Sequence, residues 1–245
     1  MCRIFAVRSN EPVAVHSAFD GLRRLAEEHK DGWGIAHFDP THGLEVELRV
    51  DGARDCPRFL QLGKRETRSL AVHIRLASVG TVHARNNHPF VADPWVFMHN
   101  GTLKQFESVR ARFEGEIDAK VRATFRGETD SERCFGLFRT YLGGATDSAS
   151  VKRALLRVFH RASELCDGPG EGKRSAMNFL VTDGTRYWCT RRDRTLFSTS
   201  LPGLAAIARE HLDLPGVTWT EVPNDHLVTI DETLRLQVEP ITFPS

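Results

Sequence analysis

A cysteine directly follows the initiator methionine in this chain of 245 residues. Because cysteine is small, we expect Met1 to be removed, which would make Cys2 the first residue of the mature chain. A thiol and a free α-amine would then belong to one residue, and the amine, with a reference pKa of about 7.7–8.0, could serve as the base of the thiol. Alternatively, Cys2 simply begins a buried strand. The rest of the sequence has to decide between a nucleophile and a structural residue.

A second feature is a charged side chain inside an apolar segment. Residues 69–77 are largely apolar and predict a strand, but they contain His73 and Arg75. Burying an arginine is costly unless its charge meets an anion. The anion could be a bound ligand or an internal carboxylate, and this stretch alone leaves both readings open.

The Asn100-Gly101 pair follows a predicted strand at 95–98. After a strand, this dipeptide usually marks a tight turn. The same pair could also present a side-chain amide and a backbone N–H together to an anionic oxygen.

Residues 128–132 precede a predicted helix at 133–142. Thr129 and Glu132 have the spacing of a capping box, and Asp130 could be a favourable negative charge at the helix start. This segment therefore has a structural explanation that requires no function.

The composition bounds the class of protein. The formal net charge is +1, from 33 basic and 32 acidic residues, so no global field attracts nucleic acid or a membrane surface. The five cysteines are widely spaced and contain no C-x-x-C pair, which favours a reducing compartment over a disulfide framework or structural zinc site. Since we find neither a signal-peptide core nor an apolar run of ~20 residues, we expect a soluble cytoplasmic protein without nucleic-acid or membrane partners.

The hydrophobic pattern predicts the elements that position these residues. Residues 29–38 predict a turn that leads into a strand, and further strands are predicted at 2–7 (broken by residues 9–12), 44–50, 69–77, 95–98, 176–182, 187–190, 195–198, 218–222 and 226–230. Helices are predicted at 15–28, 57–63, 103–113, 133–142 and 148–166. Gly32 and Gly34 would allow close approach of a backbone or ligand, or form bulges, and Asp183-Gly184 marks a hairpin. The pattern favours one mixed α/β domain with many antiparallel strands.

Several of these segments, in order and approximate spacing, resemble the class II glutamine amidotransferases: Cys2, 73–78, 87–89, 99–101 and 129–132. Residues 29–35, 178–184 and 223–225 resemble more closely the small stand-alone members of the YafJ type. The resemblance implies an N-terminal nucleophile (Ntn) hydrolase fold of class α+β, a four-layer α/β/β/α sandwich with two stacked antiparallel sheets. One domain would span residues 2–245.

The resemblance also implies roles for single residues. Cys2 would be the nucleophile, with Asn100 and Gly101 forming the oxyanion hole. The substrate-binding set would be Arg75 for an α-carboxylate, Asp130 for an α-ammonium, and Ser78, His88 and His99. We expect His73, His88 and His99 to act mainly as supporting hydrogen bonders, because their spacing is not that of a metal site. Leu76 and Val79 stand where the larger synthases of the family carry tryptophan and histidine, which changes the pocket near the amide.

The implied reaction is cleavage of the γ-amide of glutamine or another small γ-glutamyl compound through a thioester, without metal or organic cofactor. The alternatives are an ammonia-donating subunit for a separate synthase and a non-catalytic γ-glutamyl-binding protein. A synthase partner or a homodimer is therefore possible. We expect the leaving-group side of the pocket to be built by loops such as 84–93 and 168–173.

Overall fold

The computed structural model describes residues 2–170 and 172–242. The strands are β1 (Arg3–Ala14), β2 (Trp33–Asp39), β3 (Gly43–Arg49), β4 (Glu66–Ile74), β5 (Phe90–Ala92), β6 (Trp95–Thr102), β7 (Ala176–Thr182), β8 (Tyr187–Arg191), β9 (Phe197–Leu201), β10 (Leu204–Ala208), β11 (Thr220–Glu221), β12 (His226–Ile230) and β13 (Leu236–Pro240). The helices are α1 (His16–Leu25), α2 (Pro57–Gly63), α3 (Phe106–Gly115), α4 (Ala119–Arg122), α5 (Asp130–Leu142) and α6 (Ser148–Cys166).

The strands form two antiparallel sheets. One has the order β11-β9-β10-β1-β4-β2-β3, and the other has the order β13-β12-β8-β7-β6-β5. Strand β1 therefore lies inside the first sheet, paired with β4 and β10. Strand β6 lies inside the second sheet, between β5 and β7.

Along the inner strands, successive side chains alternate between the layer that lies between the two sheets and the layer that packs against the helices. In β1, Ile4 and Ala6 pack between the sheets, whereas Phe5 and Val7 pack with α1 and α2. In β6, Met98 joins the layer between the sheets, and its neighbour Phe97 packs with α3, α5 and α6. Because successive strand residues face opposite ways, each strand contributes to two apolar layers. The predicted four-layer α/β/β/α sandwich is confirmed.

Four predicted elements, α2, α6, β7 and β12, have the predicted bounds. Helix α6 shows why its pattern is readable: its apolar stripe of Val151, Leu155 and Val158 is buried. Its start is defined by Asp147, whose side chain accepts a hydrogen bond from the N–H of Ser150 at 2.9 Å. A strong helical period of apolar residues and a capping residue together determine the bounds of such a helix from its local sequence.

The predicted break at residues 9–12 is wrong, because β1 continues to Ala14. The pairing of β1 with β4 shifts register between Arg8 and Val13. Pro12 is tolerated there because proline, which lacks an N–H, is compatible with an irregular part of a ladder.

Two boundaries next to the candidate residues also differ from the prediction. Strand β4 ends at Ile74, so Arg75 is the first residue beyond it. Strand β6 runs on to Thr102, with Asn100 opposite Asn178 and Gly101 opposite Met177. The reading of Asn100-Gly101 as a tight turn is therefore wrong.

Candidate active site

A pocket of about 150 Å³ opens where the end of β6 meets the start of β1 and the segment after β4. It is lined by Cys2, Leu76, Ala77, Ser78, Asn100, Gly101, Thr102 and Arg194. Four residues predicted from the sequence, Cys2, Ser78, Asn100 and Gly101, thus share one small cavity although they are separated by up to 99 positions in the chain, from 2 to 101.

The thiol of Cys2 contacts the segment that follows β4. Its Sγ lies 3.4 Å from the backbone nitrogen of Leu76, which donates to it, and 3.5 Å from the carbonyl oxygen of the same residue. Burial raises the pKa of the Cys2 thiol, while the Leu76 N–H and the charge of Arg75 oppose that rise. The thiol is therefore mainly protonated at neutral pH and needs a base to become a nucleophile. Met1 lies outside the described residues, so its removal stays a prediction.

The turn that carries the Leu76 N–H is fixed by the segment at 29–35. The carboxylate of Asp31 accepts a hydrogen bond from the N–H of Ala77 at 2.7 Å. The carbonyl of Gly32 accepts one from the N–H of Arg75 at 2.8 Å. The residues on both sides of Leu76 are thus tied to the start of β2.

The glycine at position 34 allows a close backbone approach. A Cβ added to Gly34 would lie 2.0 Å from the carbonyl oxygen of His88. The pairing of β2 with β3 and β4 passes through Gly34 without a shift, so the bulge reading is not supported at this position. Only glycine lets the segment around His88 lie against β2.

Arg75 is buried and is surrounded by backbone carbonyls. Its guanidinium donates to the carbonyl oxygens of Val79 at 3.0 Å, Gly80 at 3.3 Å and Thr81 at 3.2 Å. Within residues 2–170 and 172–242, no carboxylate forms an ion pair with Arg75, and the charge of Asp31 only partly offsets burial, which lowers the pKa of Arg75. A substrate carboxylate would have to replace these carbonyls, and that role of Arg75 stays a prediction.

Asp130 joins helix α5 to the end of β6. One carboxylate oxygen accepts from the N–H of Leu103 at 2.8 Å, and the other accepts from the N–H of Ser131 at 2.8 Å. Asp130 is only 3% exposed and does not line the pocket. Its predicted contact with an α-ammonium stays a prediction.

The predicted capping box at the start of α5 is half formed. The hydroxyl of Thr129 accepts from the N–H of Glu132 at 3.2 Å. The Glu132 carboxylate accepts from the N–H groups of Arg126 and Gly127, at 2.8 and 3.0 Å, and not from Thr129. The helix start therefore anchors the loop before it.

Three histidines lie behind the pocket and do not line it. The ring of His99 contacts the Ser131 hydroxyl and the Ala176 carbonyl, each at 2.9 Å, so its Nε2–H donates to the carbonyl. The rings of His73 and His88 lie 4.2 Å apart. Burial lowers the pKa of all three, that of His73 to about 3, and they are neutral at ordinary pH. No group of histidine, cysteine, aspartate or glutamate in the described part of the chain is arranged to hold a metal ion.

Arg209, at the end of β10, is a residue that the sequence does not reveal. When the Asn100 amide is turned so that its oxygen faces a donor and its nitrogen faces an acceptor, Oδ1 accepts from Nε of Arg209 at 3.2 Å and Nδ2 donates to the carbonyl oxygen of Cys2 at 3.3 Å. An arginine cannot accept a hydrogen bond, so it fixes which end of the Asn100 amide faces Cys2. The pairing is absent from the local sequence because Arg209 is far from Asn100 along the chain.

The other side of the pocket is also unexpected. Among the described residues, neither of the loops at 84–93 and 168–173 contributes to its lining, and Arg194 stands there instead. Thr102 also lines the pocket, and its hydroxyl lies 3.0 Å from that of Ser78. A single arginine in a turn carries no sequence pattern that could have identified it.

Comparison with known proteins shows the family of the chain. The family model described as class-II glutamine amidotransferases matches residues 1–213. A Haemophilus influenzae protein and the Escherichia coli protein YafJ, each named for an inferred glutamine amidotransferase activity, are 29% and 26% identical to the chain. The matches cover 75% and 96% of this chain and 60% and 91% of those relatives. The chain thus spans less than two thirds of the first of them.

A solved structure shows the same fold. The glutamine phosphoribosylpyrophosphate amidotransferase of Bacillus subtilis superimposes with a TM-score of 0.73 at 18% identity, covering 99% of this chain and 50% of that enzyme. The fold is that of the Ntn hydrolases. The chain belongs to the class-II glutamine amidotransferases. No helix in the described part of the chain is long and apolar enough to cross a membrane.

Proposed function

We propose that this chain is a cytoplasmic amidohydrolase that cleaves the γ-amide of glutamine or another γ-glutamyl compound and releases glutamate. The observation that carries the proposal is the shared pocket of Cys2, Asn100 and Gly101. It supplies a nucleophile beside two candidate oxyanion donors. The cytoplasmic part rests on the five cysteines, all of which lie in the described chain and are free thiols.

The first half of the reaction forms a thioester. With Met1 removed, the α-amine of Cys2 takes the thiol proton, and Sγ attacks the γ-carbonyl carbon. The Asn100 amide and the Gly101 N–H stabilise the oxyanion, each donor lowering the barrier by ~3 kcal/mol. The C–N bond then breaks as the protonated amine transfers its proton to the leaving nitrogen.

Water completes the cycle. The α-amine of Cys2 accepts a proton from the water that attacks the thioester carbon, and the C–S bond breaks. Glutamate leaves and the thiol is restored. In this proposal Arg75 and Asp130 hold the two charges of the amino-acid head, after the carbonyls of residues 79–81 give way to the substrate carboxylate.

The experiment that tests the proposal is glutamate release from glutamine and a panel of γ-glutamyl amides by protein with Cys2 exposed. We expect release with at least one member and none by Cys2→Ala. The matched control is Cys56→Ala, a second cysteine that lies outside the pocket. Absence of release from the whole panel would contradict the proposal.

An ammonia-donating subunit is the second candidate. The B. subtilis enzyme, named as an amidotransferase, is only half covered by this chain, which fits a glutaminase module that needs an acceptor module. Such a subunit would release glutamate slowly alone and faster with its synthase. Rapid release by the isolated chain would favour the amidohydrolase.

A further inference from the structure

Arg194 is the one charged residue among those described that line the catalytic pocket. Its side chain is one third exposed, and an oxygen of the half-exposed Asp193 carboxylate lies 3.3 Å from its guanidinium. Such an exposed pair is weak in water. The positive charge of Arg194 is therefore available to a ligand in the pocket.

The turn that presents Arg194, between β8 and β9, is held firmly. The amide of Asn178 accepts from the N–H of Arg192 at 2.9 Å and donates to the carbonyl of Arg194 at 3.1 Å. The side chain of Asn224 accepts from the N–H of Asp193 at 2.8 Å, and Asp225 accepts from Nε of Arg192 at 2.7 Å. The segments at 178–184 and 223–225, to which the proposed reaction gives no role, thus converge on this turn.

The position of Arg194 differs from that of the groups proposed to bind the glutamyl head. Ser78 contacts Thr102, and Asp130 accepts from the N–H of the next residue, Leu103, so this set lies at the Thr102 end of β6. Arg194 instead adjoins Asn178, which pairs with Asn100 in the ladder. Arg194 therefore reaches the pocket from the turn after β8, a different part of the fold from the groups proposed to hold the glutamyl head, which leaves its guanidinium for the other side of the scissile amide.

We propose that Arg194 forms a subsite for a carboxylate carried by the leaving amine, so that the substrate class is γ-glutamyl amino acids or peptides. The proposal rests on the proposed function. A guanidinium pairs well with a carboxylate, and glutamine itself leaves ammonia, which has no group for Arg194 to bind. Arg194 thus discriminates between γ-glutamyl compounds and does not act on the γ-carbonyl.

Two substrates that differ in one group test the subsite. γ-Glutamyl-glycine carries a carboxylate on its leaving amine, and γ-glutamyl-glycinamide carries a neutral amide of nearly the same size. We expect kcat/KM to be higher for the first, and the ratio of the two values to fall by about 10- to 100-fold in Arg194→Gln. Arg194→Lys should retain part of the preference for γ-glutamyl-glycine, and the surface variant Arg153→Gln should retain all of it.

The outcomes separate the two proposals. Hydrolysis of both substrates with a ratio near one, or with a ratio that Arg194→Gln does not change, would overturn the subsite and leave the amidohydrolase standing. An equal fall of both kcat/KM values in Arg194→Gln would also overturn it, because that is the signature of a general structural role. No hydrolysis of either substrate, or of glutamine, would overturn the proposed function and the subsite with it.

Discussion

The side-chain amide of Asn100 can aim either its oxygen or its nitrogen at the candidate nucleophile. Arg209 decides between them, because its guanidinium donates to Oδ1 and leaves Nδ2 directed toward Cys2. In that orientation Asn100 can donate to the oxyanion of the proposed reaction. With the amide reversed, an oxygen would face the developing negative charge and would raise the barrier.

We predict that Arg209→Met lowers kcat for γ-glutamyl hydrolysis by about 10- to 100-fold with little change in KM, because the oxyanion donor acts in the transition state. Arg209→Lys, which also only donates, should recover part of kcat. The measurement is steady-state kinetics on glutamine, with Arg153→Met as the surface control. A change in KM with kcat unchanged would show that Arg209 does not orient Asn100.

Five of the eight residues that line the pocket were identified from the sequence, because the resemblance assigned roles to Cys2, Ser78, Asn100 and Gly101 and placed Leu76 near the amide. The sequence could not identify Arg194 or Arg209. Both are brought to the pocket by pairing between distant strands, and neither has a local pattern. The placement of His88 and His99 behind the pocket was also beyond the sequence, since His99 depends on which face of β6 it occupies and His88 on how the loop before β5 folds back against β2.

At the scale of elements, the turn after β4 depends on a carboxylate from another segment. Asp31 accepts from the N–H of Ala77, and the neighbouring Leu76 N–H contacts the Cys2 thiol. Removing the carboxylate leaves a backbone donor without its partner. The turn would then hold Leu76 less firmly against the nucleophile.

Asp31→Ala should therefore destabilise the fold by about 1–3 kcal/mol and slow the reaction of Cys2 with a glutamine-analogue label. Urea unfolding measures the first effect, and the rate of labelling measured by mass spectrometry gives the second. Asp20→Ala, on helix α1, is the matched control. Unchanged labelling in Asp31→Ala would show that the turn does not depend on this carboxylate.

The elements differ in how far the sequence predicted them. Helix α6 and strand β7 were predicted with correct bounds because their periods are strong and their ends are marked. Strand β10, Leu-Ala-Ala-Ile-Ala, was missed because its alanines favour helix and only its place between β1 and β9 makes it a strand. The exposed edge strand β13 was missed because it has no buried face to impose an alternating pattern.

The whole molecule is sensitive to acid through its buried histidines. Burial lowers the pKa of His73 to about 3 and also lowers the pKa of His88 and His99. As the pH falls below about 6.5, the unfolded chain therefore binds protons at these sites before the folded chain does, and the free energy of unfolding decreases. The loss from His73 continues until the pH reaches its folded pKa.

We expect the free energy of unfolding to fall from pH ~7 to pH ~5, with each such histidine contributing up to about 1.4 kcal/mol per pH unit. Urea unfolding at the two pH values measures the change. His73→Gln should show a smaller loss than the parent protein, and the exposed His16→Gln should show the same loss as the parent. An equal loss in His73→Gln would mean that His73 does not stay neutral in the fold.

The four-layer arrangement was predictable as a whole only through the resemblance. Alternating strands and amphipathic helices indicated a mixed domain. The strand order of each sheet follows from pairings such as β1 with β10, which are distant in sequence, and the stacking follows from apolar faces, such as those of Ile4 and Met98, that meet between the sheets. Within this fold, we propose that Cys2 is an amino-terminal nucleophile beside a pocket that takes a glutamyl group.

The most direct test of that claim is the intact mass of the protein before and after incubation with 6-diazo-5-oxo-norleucine, a glutamine analogue that alkylates such nucleophiles. We expect a mass without methionine that gains one label, and no label in Cys2→Ala. If protein that has Cys2 exposed gains no label, Cys2 is not such a nucleophile. If Met1 is retained, the protein is prepared with Cys2 at its amino terminus and the measurement is repeated.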